Sequence, residues 1–461
     1  MTISKLFISH ISLIFAASFS MYTNVCAESI YTTFEEKQDK FRFIESGTTD
    51  IDPDESVADS IQFALARNPQ ISLAIAQLDA AKAEKFLAVG KFLPSIEGTA
   101  SYAHEDWRSR SLETLNQRDG ATLGITVRQP VFQGMTGLHR LRAQKSQVRA
   151  SEFSVLDSKS QIALLAARAH ASVTLANEIL AHRMSNRALV KEQLEITEAR
   201  MKAGAQSRTG VEQARMRFAQ AAVAVEQARA RKSASDAFYT SIVGHAPRKL
   251  SVDLQSMIAT NTESLDQAIV YAINNNPSLN AARERVRAAQ FSKRAAYGNF
   301  SPNLNIEGNF FRRYDQGAIT SNVDEYQIVA RLRIPLFSQG SNIANLRSTS
   351  SETAQQIARQ NSEKLSIVEL VSRNWGEINA AKRRQAAAKK AIEAAELSVH
   401  GLKVEFDAGK RTVIDVLDGQ RDLVDTKISL SQADFDLRIA NYELAAAMGQ
   451  LIHTATKTDA Q

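Results

Sequence analysis

The chain has 461 residues, 23% of them charged, a net charge of +6 and one cysteine. So dilute a charge leaves no electrostatic footprint for nucleic acid, and one cysteine excludes an intrachain disulfide and a thiolate metal cage. After Ala27 no apolar run reaches the ~18 residues of a membrane helix, so a membrane crossing would require a closed β-barrel.

Residues 1–27 read as a signal peptide: Lys5, then a mostly apolar Leu6 to Phe19, then Val25-Cys26-Ala27 before the cut. The alternatives are a buried N-terminal helix, or Cys26 as a lipidated first residue, which Thr23-Asn24-Val25 does not favour. Lys5 is the only charged residue removed, so +6 becomes +5. Residues 28–55 form an N-terminal segment to which no role is assigned.

An internal repeat organises the rest. Asn68-Pro69 recurs as Asn276-Pro277 and Phe92-Leu93-Pro94 as Phe300-Ser301-Pro302, each 208 residues on. Pro130-Val131-Phe132 recurs as Pro335-Leu336-Phe337, Ala203-Gly204 as Ala408-Gly409 and Gly244 as Gly449, each 205 residues on. The boundaries are 56–246 for repeat one, 247–263 for a linker, 264–452 for repeat two and 453–461 for a tail. Each repeat reads as a helix, a β-hairpin (95–132 and 303–337), and long helices (134–244 and 340–449) folded at a glycine turn.

No proline falls between Pro130 and Pro247 or after Pro335, and glycine is absent from Leu138 to Ala203. Such stretches, rich in Ala, Leu, Gln, Glu, Lys and Arg, are long helices of about 100 Å. In the last, Leu423, Leu430, Leu437 and Leu444 alternate with Thr426, Ala433, Ala440 and Ala447, a 3-4 seam of coiled-coil packing. Copy one has Phe218, Ala221, Val225 and Ala228, then drifts at Lys232. The hairpins alternate with period two. Leu123, Ile125, Ile306 and Ile328 are expected on a lipid face and Thr126, Glu307 and Arg331 on a wet lumen. The polar stretches His104–Gly120 and Arg312–Asp324 are expected as exposed loops, and Gly204, Gly409, Pro130 and Pro335 as structural turns. Four strands cannot close a barrel, so the edges demand oligomerisation; three chains would supply twelve.

No catalytic constellation is present: no HExxH, no phosphate loop, no nucleophile elbow. The expectation is a protein that is not an enzyme, with no cofactor and no metal. The sharpest local feature is Phe406-Asp407-Ala408-Gly409-Lys410-Arg411-Thr412, leading into Asp415 and Asp418. Both acids lie on one helix face, and either serve a site or simply favour a helix start.

Gly409-x-Arg411-Thr412-x-x-Asp415-Val416-Leu417-Asp418, Ala447-Met448-Gly449 and Thr209-x-Val211-x-Gln213-Ala214-Arg215 resemble the TolC-like outer-membrane factors of efflux and type I secretion. So do the Asn-Pro and Pro-x-Phe landmarks; the resemblance covers 56–452. It implies a mainly α fold with a β-barrel segment: a homotrimer with a twelve-stranded outer-membrane barrel and a periplasmic α-barrel. It implies as partners outer-membrane lipid, a periplasmic adaptor and an inner-membrane ABC or proton-driven transporter. Asp415 and Asp418 would ring a periplasmic aperture, and Phe406, Arg411, Thr209 and Glu212 would make its closing contacts. Gly210 departs from the family pattern, where an aspartate accepts such ties, and Glu212 is the substitute. The competing reading is a soluble periplasmic coiled-coil adaptor.

Overall fold

The computed structural model describes residues 54–109, 114–251, 264–314 and 322–451. The expected signal peptide and tail lie outside the described residues, as does most of the linker. The N-terminal segment ends in β1 (Asp54–Glu55), and repeat one begins with α1 (Val57–Arg67) and α2 (Pro69–Gly90). It continues with strands β2 (Ser95–Ser109) and β3 (Thr114–Gln133), then α3 (Thr136–Lys202) and α4 (Arg208–Val243). After β4 (Lys249–Leu250), repeat two has α5 (Leu265–Asn275), α6 (Pro277–Gly298), β5 (Asn303–Tyr314), β6 (Asn322–Arg333), α7 (Ser341–Asp407) and α8 (Val413–Ala447).

The single opening helix expected in each repeat is in fact two. Asn68 and Asn276 cap α2 and α6 through their side chains, and the following proline stands at the first helical position. Proline has no amide hydrogen to donate, so it starts a helix there and ends the one before. α1 and α5 lie on the long helices and build two equivalent cores. One gathers Ile61, Ala64, Ile162, Val173, Tyr239 and Val243; the other gathers Ala268, Leu279, Ile367, Val371 and Leu444. Ile61 is completely buried, a contribution of about 2 kcal/mol. α3 and α7 each have 67 residues, about 100 Å. The α8 seam holds, with Ala433, Ala440, Leu444 and Ala447 buried.

The four long strands form one antiparallel sheet in the order β2-β3-β5-β6. Cross-strand partners share a face. The pairs Ile125 with Phe310, Phe310 with Tyr326 and Gly308 with Ile328 therefore build one apolar face. Thr126 pairs with Asn309 and Glu307 with Arg128 on the other face, where Glu307 also receives Arg128 Nε at 3.1 Å and Arg331 at 3.5 Å. Ile328 is 85% exposed. Among the described residues nothing covers the apolar face.

Two sequence expectations need correction here. Strand pairing runs on into the polar stretches, as far as Ser109 with Thr114 and Tyr314 with Asn322, so most of the first expected loop and both ends of the second are ladder. Opposite charges keep the pairs: Arg312 donates twice to Asp324, at 2.7 and 2.8 Å. Pro130 is no turn. It lies inside β3 at the register shift between Pro130 and Phe132, where a strand tolerates a residue without an amide hydrogen. Pro335 does lie in the irregular stretch between β6 and α7.

At the strand–helix junction two glycines interlock. Gly134 has φ +57°, and a Cβ there would meet Ser301 Cβ at 2.4 Å; a Cβ on Gly298 would meet the Gly134 carbonyl at 2.5 Å. Neither position was apparent from the repeat landmarks. Among the described residues no helix is long and apolar enough to cross a membrane.

Candidate functional site

The nominated residues gather where the two long helical hairpins turn. α3 ends at Lys202 and α7 at Asp407. Gly204 (φ +75°) and Gly409 (φ +72°) then take the left-handed conformation that reverses each chain. Ser207 and Thr412 start the return helices.

The two turns are capped unequally. Thr412 and Asp415 form a full capping box: Asp415 Oδ2 accepts from the Thr412 amide at 2.9 Å and from its hydroxyl at 2.8 Å. The amide bond first, and then the hydroxyl bond, hold the Asp415 carboxyl below its usual range. In repeat one Gly210 occupies the matching third position, so Ser207 accepts the Gly210 amide at 3.2 Å and nothing reciprocates. The departure at Gly210 is thus a missing acid and half a capping box.

Asp418, one turn beyond Asp415, receives Arg217 of α4 at 2.7 Å. Phe406 is buried beneath the Arg200 guanidinium, 4.4 Å from its ring centre, and Arg200 also donates to Asp407 at 3.1 Å. Arg411 donates to Glu405 across its own turn at 2.7 Å. Glu212 accepts from Arg215 on its own helix at 3.1 Å, and Thr209 is exposed. The structure therefore brings Phe406 and Asp418 into contacts between the hairpins, while Arg411 and Glu212 bond within their own.

Arg200 and Arg217, which make those links, carry no periodic sequence signal. They belong to a ladder of ion pairs: Arg168–Glu443, Arg183–Asp425, Arg217–Asp418 and Arg200–Asp407. In every one the arginine comes from repeat one and the carboxylate from repeat two. Beneath the tip lies an apolar cluster of Val190, Ala214, Phe406, Val413, Val416 and Leu417. The arrangement offers fixed charge and interlocked helices. Among the described residues no group of His, Cys, Asp or Glu could hold a metal ion.

The family described as outer membrane efflux protein matches residues 60–243 and 268–450, one match to each repeat. The chain is 28% identical over 367 residues to the outer membrane efflux protein BepC of Brucella suis biovar 1, covering 79% of each. It is 28% identical over 408 residues to the outer membrane protein TolC of Vibrio cholerae, covering 86% of this chain and 91% of that one. Its fold is similar to that of CusC, whose crystal structures concern transmembrane channel formation, with a TM-score of 0.78 and 16% identity, covering 88% and 95% of the two chains. The chain belongs to the outer membrane efflux protein family: it is an outer-membrane protein that extends into the periplasm, and not an enzyme.

Proposed function

We propose that three copies close into a twelve-stranded barrel through the outer membrane, continued by a helical tunnel across the periplasm. The assembly is a passive exit duct for type I protein secretion or multidrug efflux. It docks through a periplasmic adaptor with an inner-membrane ABC or proton-driven transporter. The observation that carries this reading is the open sheet: four strands, one apolar face, one polar face, and edges at β2 and β6. Unpaired edges are not tolerated in lipid, and the outer strands run in opposite directions, so β6 of one copy suits β2 of the next.

The helices support the same closure. On α4 the exposed residues Met216, Ala219, Val223, Glu226 and Ala230 follow a 3-4 spacing. On α7 Arg383, Ala387, Lys390, Ala394, Leu397 and Val404 do likewise, with Leu397 76% exposed. Counted from Gly204 and Gly409, Met216 and Leu397 each stand twelve residues from the turn, and Val223 and Lys390 nineteen. Apolar Met216 thus meets apolar Leu397, and Val223 meets the aliphatic stem of Lys390. The soluble-adaptor reading leaves the apolar sheet face without a use. Ion conductance across planar bilayers by protein extracted from the outer-membrane fraction tests the proposal. Stable conductance steps are expected; a water-soluble periplasmic protein that conducts nothing would overturn it.

A further inference from the structure

Where the sheet joins the helices, the two faces of the helical layer carry different chemistry. Arg140 shares a groove with Asn303 and Asn305, which belong to the polar face of the sheet. It shares another with Ser292, and Ser292 a third with Gln147, Arg285 and Thr349. These residues mark the inner face of α3, α6 and α7. Two residues along a helix is about 200° around its axis. At that step from the inner residues stand Arg142, Lys145, Arg149, Arg287, Arg294 and Arg347, all exposed. The outer face, directly below the apolar face of the sheet, is therefore basic. Contacts between α3 and α6 agree. The His139 ring stacks on Phe291 at 6.4 Å, and the Arg294 guanidinium lies 5.4 Å from the centre of the Phe291 ring. Burial first, and then the charges of Arg142 and Arg294, hold the His139 imidazole toward its neutral form.

Acids do not balance this face. Glu284 is shared by Arg149, at 2.9 Å, and Arg287. Glu84 and Glu352 line inner grooves. The next acid along this face of α3, Glu152, lies about 24 Å from the start of the helix. Among the described residues Arg142, Lys145 and Arg347 have no ion-pair partner.

These cations also stand at one level. From the helix rise, Arg294 is about 6 Å from the strand–helix junction, Arg142 and Arg347 about 9 Å and Lys145 about 14 Å. α3 and α7 begin at the sheet, and helical side chains lean toward the N-terminus, so Arg142, Lys145 and Arg347 reach back toward it. The screening length in physiological salt is about 8 Å. Between β6 and α7, Leu336 and Phe337 are 92% and 84% exposed. Apolar side chains above and unpaired cations below follow the order of a membrane surface.

We propose that Arg142, Lys145, Arg294 and Arg347 form an outward-facing collar that binds the phosphate headgroups of anionic phospholipids in the periplasmic leaflet of the outer membrane. The collar rests on the reading of the assembled duct, in which three copies set it around the whole circumference and so fix the depth of the barrel in the bilayer. A lipid surface suits it because the charge lies at one depth, beside the apolar band.

Native mass spectrometry of the full-length protein in mild detergent tests this, with phosphatidylglycerol and phosphatidylethanolamine of identical acyl chains as probes. Each basic side chain near an anionic surface contributes about fivefold, and Arg142 and Arg294 reach one headgroup together, so the trimer should hold phosphatidylglycerol about 25-fold more strongly. Arg142→Gln with Arg294→Gln should abolish that preference and leave the trimer mass unchanged, whereas Arg140→Gln with Arg285→Gln on the inner face should keep it. If the first pair does not assemble, the native preference and its loss in concentrated ammonium acetate decide. Equal retention of both lipids by the native trimer overturns the proposal and leaves the collar to an acidic protein. The same loss from the inner-face pair also overturns it. A soluble monomer would overturn the duct and the collar together, while a trimer indifferent to headgroup charge overturns the collar alone.

Discussion

Removing the Arg217–Asp418 bridge should loosen the tip of the assembled duct. The pair is 2.7 Å apart, with side chains 23% and 35% exposed. Two unit charges about 4 Å apart in an effective dielectric of about 20 attract by about 4 kcal/mol. Partial exposure, solvent screening and side-chain ordering reduce that to about 1 kcal/mol net. Three copies that must part together would lose about 3 kcal/mol, roughly a hundredfold in the closed-to-open ratio. Single-channel recording of Arg217→Ala should show that rise in open time. The charge-swapped pair Arg217→Asp with Asp418→Arg should restore most of the closed state, and molar salt should narrow the difference, because the screening length falls to about 3 Å. An open time unchanged by Arg217→Ala would refute the reasoning, as would a swap that restores nothing.

Other substitutions probe other links of the account. Ile125→Arg should cost the barrel about 2–4 kcal/mol and Thr126→Arg much less, measured by denaturant unfolding of the assembly in bilayers. Gly298→Ala should destabilise by about 1–3 kcal/mol, because its Cβ would meet the Gly134 carbonyl at 2.5 Å; thermal unfolding checks this. The depressed Asp415 carboxyl keeps its charge below the usual carboxylate range. Its contribution is therefore full above about pH 3.9 and lost only as the pH falls through its lower folded value. Cation selectivity of the duct should follow that titration, and Asp415→Asn with Asp418→Asn should lower selectivity and abolish block by a trivalent cation. Val223→Cys with Lys390→Cys should crosslink copies under oxidation, read on a denaturing gel, because the only native cysteine is Cys26.

The repeat made most of this fold legible. Asn68-Pro69 and Asn276-Pro277, Gly204 and Gly409, and the α8 leucine seam are local signals with fixed physical meaning, and each appears where its spacing predicts. The strand faces were equally readable, since alternation at Ile125 and Thr126 survives in the register. What stayed hidden depends on distant partners. Arg200 and Arg217 look like any surface arginine until the second hairpin sets Asp407 and Asp418 against them. The polar stretch Arg312–Asp324 looks like a loop until its charges pair across the ladder. The two residues of β1 carry no periodic signal, and only Lys249 and Leu250, nearly two hundred residues later, make them a strand. At the tip, Asp415 is read correctly as a helix-start acid from its capping box, and its place at an aperture is a matter for the assembled duct.

The most direct test of the central claim is the native mass of the protein extracted from the outer membrane in mild detergent. The account predicts three copies of the chain held together after detergent removal, because each copy leaves β2 and β6 as open edges. A stable single chain of 50.7 kDa or less, free of the membrane, would contradict it.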